Sequence, residues 1–352
     1  MSSPIPFPDG LPMIDLPRVS LGNLLRHDEK ELDKLFDICL STGFFYLNLQ
    51  DCPEGEQLWN QAVKVCNLGK ATLPVLDMET KLSYKSRETT GVFDLGYKCP
   101  SISKNGEPKF SEAFNIPFYE LVMDKQSIFQ LPHWLKDHRD LFSSLLTQGN
   151  EVCHVMLRAL ETRLQLEPGA LMSLHRREDP SYDFLRVLRY PATEPGDDPN
   201  AAKFPPHRDS VSVAMLFTWV GGLQILEPDS SSTNPNSNPA TGNYNEADWR
   251  WVEPVDGHVI VNIGDALAVL TNEVLRSGFH RVIGAPGDQA KLDKYSVLLG
   301  YRPALNTPMK PFTSPLIPQL SEEQSRDPVQ TCQEWGMERV AKVYRVLETR
   351  ET

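Results

Sequence analysis

What most limits the possible folds is a succession of short strand-like runs in the second half of the chain. They are Phe184–Tyr190, Val211–Thr218, Gly222–Leu226, Trp249–Glu253, His258–Ile263, Ala266–Thr271, His280–Ile283 and Tyr295–Tyr301. Turn residues separate nearly all of them, among them Gly221-Gly222, Pro254, Gly257, Gly264-Asp265 and Pro286-Gly287. Short strands so punctuated, with few helical interruptions, form a β-sandwich or jelly roll. The 29 prolines also suit strands and turns better than a helical bundle.

The first half reads differently. Leu32, Leu35, Phe36, Cys39 and Leu40 recur at helical spacing within 28–41, and Gly43 ends that helix. Residues 44–49 are aromatic-rich and read as a buried strand, 55–72 as a second helix, and 11–16 as a short early strand. Residues 82–118 read as loops, with Tyr84, Phe93, Tyr97, Phe110, Phe114 and Phe118 among Gly, Pro and Ser. The strongest helical stripe covers 138–166, through Leu141, Leu145, Val152, Val155, Met156, Ala159, Leu160 and Leu164. His154 and His175 fall in this region and read as packed or solvated side chains.

A lone sheet needs a cover for its apolar face, so the 352 residues are expected to form one unit. It divides into a helix-rich supporting region over 8–178, a mainly β jelly-roll core over 182–304, and a connector with a last helix over 305–352. The last helix is expected at 321–348, and the polar stretch 229–248 reads as a mobile hairpin insertion.

Charge narrows the partners. Thirty-five basic against 47 acidic residues leave a net charge of −12, without the basic patch that nucleic acid or an anionic membrane demands. A small molecule is the expected partner, and composition gives no oligomeric state. The six cysteines form no C-x-x-C pair, and no apolar run reaches membrane-spanning length. The N-terminus lacks a basic region followed by an apolar core, so the expectation is a cytoplasmic protein with reduced thiols.

The chemistry centres on His207-Arg208-Asp209. Residues two apart on a strand share a face, so one imidazole and one carboxylate can meet at a point. A third ligand from a neighbouring strand, His280, would complete two His and one carboxylate, the set used by non-haem Fe(II) oxygenases. A lone His-x-Asp also occurs in many solvated loops, so the tripeptide does not decide alone.

Six ordered pieces carry a resemblance. They are Leu188-Arg189-Tyr190-Pro191, His207-Arg208-Asp209-Ser210, Gly221-Gly222-Leu223-Gln224-Ile225, Val261-Asn262-Ile263-Gly264-Asp265, Thr271-Asn272 and His280-Arg281-Val282. With Ile14-Asp15-Leu16 and Thr42-Gly43-Phe44-Phe45-Tyr46, the chain resembles the iron(II)- and 2-oxoglutarate-dependent dioxygenases of the isopenicillin N synthase-like superfamily. The resemblance implies a distorted double-stranded β-helix with iron held by His207, Asp209 and His280. It implies 2-oxoglutarate and O₂ as co-substrates, release of succinate and CO₂, and attack on a C–H bond of a small molecule. The outcome would be hydroxylation, desaturation or ring formation, with specialised metabolism the expected setting.

Two departures stand out. Where the family places Arg-x-Ser for the far carboxylate of 2-oxoglutarate, this chain has Lys294-Tyr295-Ser296, and Arg302 shares that face by parity. Where many members have Asn-x-Tyr, this chain has Leu188-Arg189-Tyr190. The form Arg-Tyr-Pro is similar to isopenicillin N synthase, an iron oxidase that works without 2-oxoglutarate. The expected co-substrate residues are therefore Lys294, Ser296 and Tyr190, with an iron oxidase as the alternative and a non-catalytic jelly-roll binding module as a third reading. Candidate substrate-pocket residues are Tyr84, Phe93, Tyr97 and Trp219.

Overall fold

A computed structural model describes residues 5–85, 96–103, 105–123, 132–194, 196, 198, 201–227 and 244–348. Its strands are β1 (Arg18–Ser20), β2 (Phe44–Asn48), β3 (Gly96–Lys98), β4 (Glu112–Pro117), β5 (Phe184–Tyr190), β6 (Phe204–His207), β7 (Val213–Thr218), β8 (Leu223–Leu226), β9 (Trp249–Trp251), β10 (His258–Ile263), β11 (His280–Val282) and β12 (Lys294–Tyr301). They form an eight-stranded sheet in the order β1-β2-β10-β7-β12-β5-β4-β3 and a four-stranded sheet in the order β6-β11-β8-β9. The two sheets are the walls of a distorted jelly roll, as the strand pattern led one to expect.

The period of two in the strands decides what faces what. Leu185, Val187, Met215, Phe217, Val261, Val297 and Leu299 point outward from the large sheet into the main core. Helices Pro53–Thr72 and Arg139–Arg163 cover that face. The alternate residues Leu188, Tyr190, Leu216, Ile260, Asn262, Ser296 and Leu298 point the other way, towards the small sheet, and line a cavity. The helices follow their sequence signals closely. Asp28 caps Glu29–Ser41 by accepting from the Glu31 N–H at 3.0 Å, and Pro53 opens the next helix, where a missing N–H does no harm.

Four expectations are corrected. Residues 266–271 are not a strand: Asp265–Leu270 is a helix. An apolar run of six cannot be told from a buried helical turn by periodicity, and Ala and Leu behind an acidic first position favour the helix. Residues 11–16 contribute only an isolated bridge between Met13 and Trp251, flanked by Pro12 and Pro17. The stretch 82–118 contains β3 and β4, and every residue of β4 is buried. Its polar residues Glu112 and Asn115 disguised a strand buried on both faces. The last helix begins at Cys332, later than expected. Of the 229–248 stretch, residues 229–243 lie outside the described residues, and Glu246–Asp248 forms a 3₁₀ turn.

Glu112 explains how β4 tolerates its charge. Its carboxylate pairs with Lys81 at 2.8 Å and Arg189 at 2.9 Å and accepts from the Tyr97 hydroxyl at 2.7 Å. Replacing Glu112 with Ala leaves the buried Lys81 ammonium without its counter-charge, a change worth about 3–5 kcal/mol. The expected result in a urea melt is an unfolding free energy lower by that amount, seen as a lower midpoint with an unchanged slope.

Among the described residues all six cysteines are free, and no helix is long and apolar enough to cross a membrane.

Candidate functional site

β6 and β11 run antiparallel, and His207 stands directly opposite His280. Their ring centroids are 4.1 Å apart. β6 ends at His207, so Asp209 lies just beyond the strand and is not placed by strand alternation. Its backbone is held instead: the Asp265 N–H donates to the Asp209 carbonyl oxygen at 2.7 Å, from the start of helix Asp265–Leu270. Its side chain is held by the Asn262 amide, which donates to Oδ2 at 2.9 Å from β10. His207 Nε2 then lies 3.4 Å from Asp209 Oδ1, and His280 Nε2 lies 3.6 Å from Oδ2.

The proton positions suit a metal. His207 Nδ1 is 2.9 Å from the Pro205 carbonyl oxygen, and His280 Nδ1 is 3.3 Å from that of Gly278. A carbonyl only accepts, so each Nδ1 carries the hydrogen and each Nε2 turns a lone pair inward. Burial and the neighbouring His207 ring push His280 down to about 4, which keeps it neutral. The Asn262 amide N–H donates to the Asp209 carboxyl and favours its ionised form. Two lone pairs and an anion therefore converge with no proton between them. Their separations are of the size that donors reaching about 2.1 Å to one ion require. Among the described residues this is the cluster of His, Cys, Asp and Glu side chains able to share a metal ion. Phe44 and Phe204 stand edge-on to the His280 and His207 rings at 5.5 and 4.6 Å and fix their tilt.

Gly264 keeps the support compact. A Cβ there would overlap the Val211 carbonyl oxygen and come within 2.8 Å of the Asp209 carbonyl oxygen. Both are backbone atoms and cannot step aside. Gly264→Ala is expected to lower stability by about 1–3 kcal/mol and to weaken metal retention with it, as a melt with and without Fe(II) would show.

The cavity beneath the triad has a free volume of about 80 Å³ and opens to solvent. His207, Asp209 and His280 share its wall with Lys294, Ser296, Tyr190 and Arg186, and the rest is largely apolar. Lys294 is not a solvated surface lysine, for only 4% of it is exposed. Its Nζ donates to Thr218 Oγ1 at 3.0 Å, the Val220 carbonyl at 2.7 Å and the Gly221 carbonyl at 3.0 Å. Burial pushes its ammonium down to about 7. Ser296 Oγ donates to the same Thr218 hydroxyl at 3.2 Å. Tyr190 is buried, and that burial raises its phenol to about 12.

Arg302 does not share this wall. Its guanidinium donates to the Ser210 carbonyl at 3.3 Å and to that of Tyr182. Nor do the aromatic candidates. Tyr97 is wholly buried in the main core, Tyr84 packs on Phe114, and Trp219 packs on Trp59 and lines a separate recess with Phe7. Phe93 lies outside the described residues. His154 and His175 are packed into a hydrogen-bonded chain, His154 Nε2 to the His175 carbonyl and His175 Nε2 to Ser212 Oγ, both at 2.8 Å. Sequence reasoning missed Asn262, Thr218 and Arg186. For Asn262 a signal existed: a lone amide in the apolar strand His258–Ile263, on the alternation shared with Ile260.

Comparison with known proteins agrees with this geometry. The profile of the 2OG-Fe(II) oxygenase superfamily matches residues 182–303. A 2-oxoglutarate-dependent dioxygenase of Aspergillus fumigatus is 44% identical over 336 residues, covering 95% of this chain and 87% of that protein. One from Gibberella zeae is 28% identical over 84% of this chain and 82% of its own length. Among solved structures, a full-length Neurospora crassa protein in complex with alpha-KG and 5-formyluracil superposes with a TM-score of 0.66 at 20% identity, covering 97% of each chain. The chain belongs to the 2OG-Fe(II) oxygenase family. It is an enzyme of the class that uses Fe(II), 2-oxoglutarate and O₂.

Proposed function

We propose that the enzyme oxidises an unactivated C–H bond of a small organic molecule, with His207, Asp209 and His280 as the iron ligands. The carrying observation is the convergence of two imidazole lone pairs and one carboxylate on the wall of a largely apolar cavity. Three protein donors on one side leave the opposite side for exchangeable ligands. When bound, the iron with 2-oxoglutarate and O₂ supplies the oxidising power, and succinate and CO₂ are released.

The protein's own part is placement and exclusion. Pro205 and Gly278 fix the imidazole tautomers, and Asn262 fixes the carboxylate. Lys294 and Ser296 receive the far carboxylate of 2-oxoglutarate. The Thr218 hydroxyl is the Lys294 partner that can be exchanged, since it already donates to the Val220 carbonyl at 3.1 Å and keeps that bond without the ammonium. Tyr190 closes the wall beside them. The apolar side chains of Leu188, Phe204, Leu216, Leu223, Val282 and Leu298 keep water from the reacting centre. Hydroxylation, desaturation and ring formation all begin with the same hydrogen removal, and the hold on the substrate selects between them. The fungal dioxygenases that match the chain support a role in specialised metabolism.

The test is to measure O₂ uptake and succinate together. Uptake that requires 2-oxoglutarate and yields one succinate per O₂ supports the reading. Uptake without 2-oxoglutarate or succinate would mark an iron oxidase, and no uptake with iron bound would mark a binding module.

A further inference from the structure

Behind Lys294 stands a buried side chain, Gln289, whose role rests on the proposed function, in which Lys294 and Ser296 take the co-substrate. Gln289 lies on the turn Gly287–Lys291 that leads into β12, and only 2% of it is exposed. It lines the recess shared with Phe7 and Trp219 rather than the cavity of the triad. Its amide has one workable orientation. The Gly221 N–H can only donate and the Ile5 carbonyl can only accept. Gln289 Oε1 therefore accepts from the Gly221 N–H at 2.8 Å, and Nε2 donates to the Ile5 carbonyl at 2.8 Å.

The Gly221 N–H and the Val220 carbonyl belong to one peptide group. That group is planar and trans, so its N–H and C=O point in opposite directions. One end donates to Gln289, and the other accepts from Lys294 Nζ at 2.7 Å, the shortest of the three ammonium contacts. The next carbonyl, that of Gly221, accepts from the same Nζ at 3.0 Å. When Thr218 gives way to the co-substrate, these two carbonyls remain to aim the ammonium. Gripped at both ends, the peptide group cannot tilt, and the bond to its N–H also strengthens its carbonyl as an acceptor. The site is buried, so without Gln289 that N–H would lack a partner unless the group turned. Packing holds the turn from the other side as well. A Cβ on Gly221 would come within 2.7 Å of the Phe7 and Pro286 rings, and Phe7 meets Trp251 edge-on at 6.4 Å.

We propose that Gln289 is a positioning residue for 2-oxoglutarate: by gripping the Val220–Gly221 peptide group it aims the Lys294 ammonium at the far carboxylate. Ile5 and Phe7 brace that grip from behind. Gln289 acts only through Lys294, and pre-setting the ammonium spares the co-substrate the cost of ordering it.

The experiment uses the full chain, anaerobic and loaded with Fe(II), and reads the Kd of 2-oxoglutarate from the visible charge-transfer band of the chelate. Gln289→Met keeps the length of the side chain and removes both hydrogen bonds. It should raise that Kd about 3–10-fold, the size of one neutral hydrogen bond, and leave iron content and the saturated band unchanged. Gln289→Glu keeps an oxygen for the Gly221 N–H and should bind close to wild type. In a Lys294→Met background, Gln289→Met should change nothing further, because its effect passes through the ammonium. The proposal is overturned if Gln289→Met binds like wild type, if Gln289→Glu loses as much as Gln289→Met, or if the loss persists in full without Lys294. Loss of iron or of the saturated band in Gln289→Met would mark a residue of the fold at large and overturn it too. Two other results defeat the underlying functional reading instead: no band in the wild type, or wild-type affinity in Lys294→Met.

Discussion

His207→Ala, Asp209→Ala and His280→Ala are each expected to abolish turnover and Fe(II) retention while leaving the protein folded. Each ligand is fixed independently: His207 through Pro205, His280 through Gly278, Asp209 through Asn262 and the Asp265 N–H. Removing any one leaves two donors that cannot close the face of the coordination sphere. Loss of the supporting Asn262 alone, as in Asn262→Leu, should weaken Fe(II) by about 10–100-fold. Loss of a direct ligand must exceed that. The apo variants should melt no lower than apo wild type, because without metal the site holds lone pairs and an anion pressed together. Fe(II) at about 100 times its Kd should raise wild-type stability by about 2.7 kcal/mol and leave the alanine variants unmoved. Metal content after desalting, read with the melts, checks both halves. A variant of any of the three that keeps wild-type iron and turnover would refute the site.

Lys294→Met should weaken 2-oxoglutarate about 10–150-fold, the loss of one charge-assisted hydrogen bond of roughly 1.5–3 kcal/mol. Met keeps most of the stem's volume and removes the charge, so iron binding should be unaffected. The pH dependence is the sharper signature. Burial holds the Lys294 ammonium near 7, well below a free lysine. Below that pH the lysine is charged and ready for a carboxylate. Above it the empty site is neutral, and binding must first take up a proton. Affinity for 2-oxoglutarate should thus be flat below pH 7 and fall up to about tenfold per unit above it. Lys294→Met should show weak binding without that slope. A wild-type affinity constant between pH 6 and 9 would remove Lys294 from the co-substrate site.

Much of this was legible from residue order. Strands β5, β7, β8, β10, β11 and β12 announced themselves because β-branched and aromatic residues lie between Gly and Pro turns, and turns are local chemistry. The two long covering helices were equally plain, since a stripe at helical spacing is a local signal too. Failures came where tertiary contacts override local pattern. Helix Asp265–Leu270 is apolar on all sides because it is buried, so it carries no period to read. β4 was hidden by Glu112 and Asn115, whose partners Lys81, Arg189 and Arg186 come from elsewhere in the chain. The His207, Asp209 and His280 cluster could be named, but not the manner in which Asp209 is held. Strand alternation would carry Asp209 to this cluster along β6, whereas the backbone brings it there just beyond the strand's end. Tyr84, Tyr97 and Trp219 lie away from this cavity for a related reason: a large ring says nothing in the sequence about which face it covers. Lys294 shows the opposite case. Its position was found by motif, and its burial and three-acceptor cradle emerged only when Thr218, Val220 and Gly221 were brought beside it.

The most direct test of the central claim is anaerobic addition of Fe(II) and then 2-oxoglutarate to the purified protein, followed in the visible spectrum. One iron per chain and a charge-transfer band that saturates with one 2-oxoglutarate are the predicted result, with no band in His207→Ala, Asp209→Ala or His280→Ala. Stoichiometric iron without a band on adding 2-oxoglutarate, or a full band in any of those variants, would contradict it.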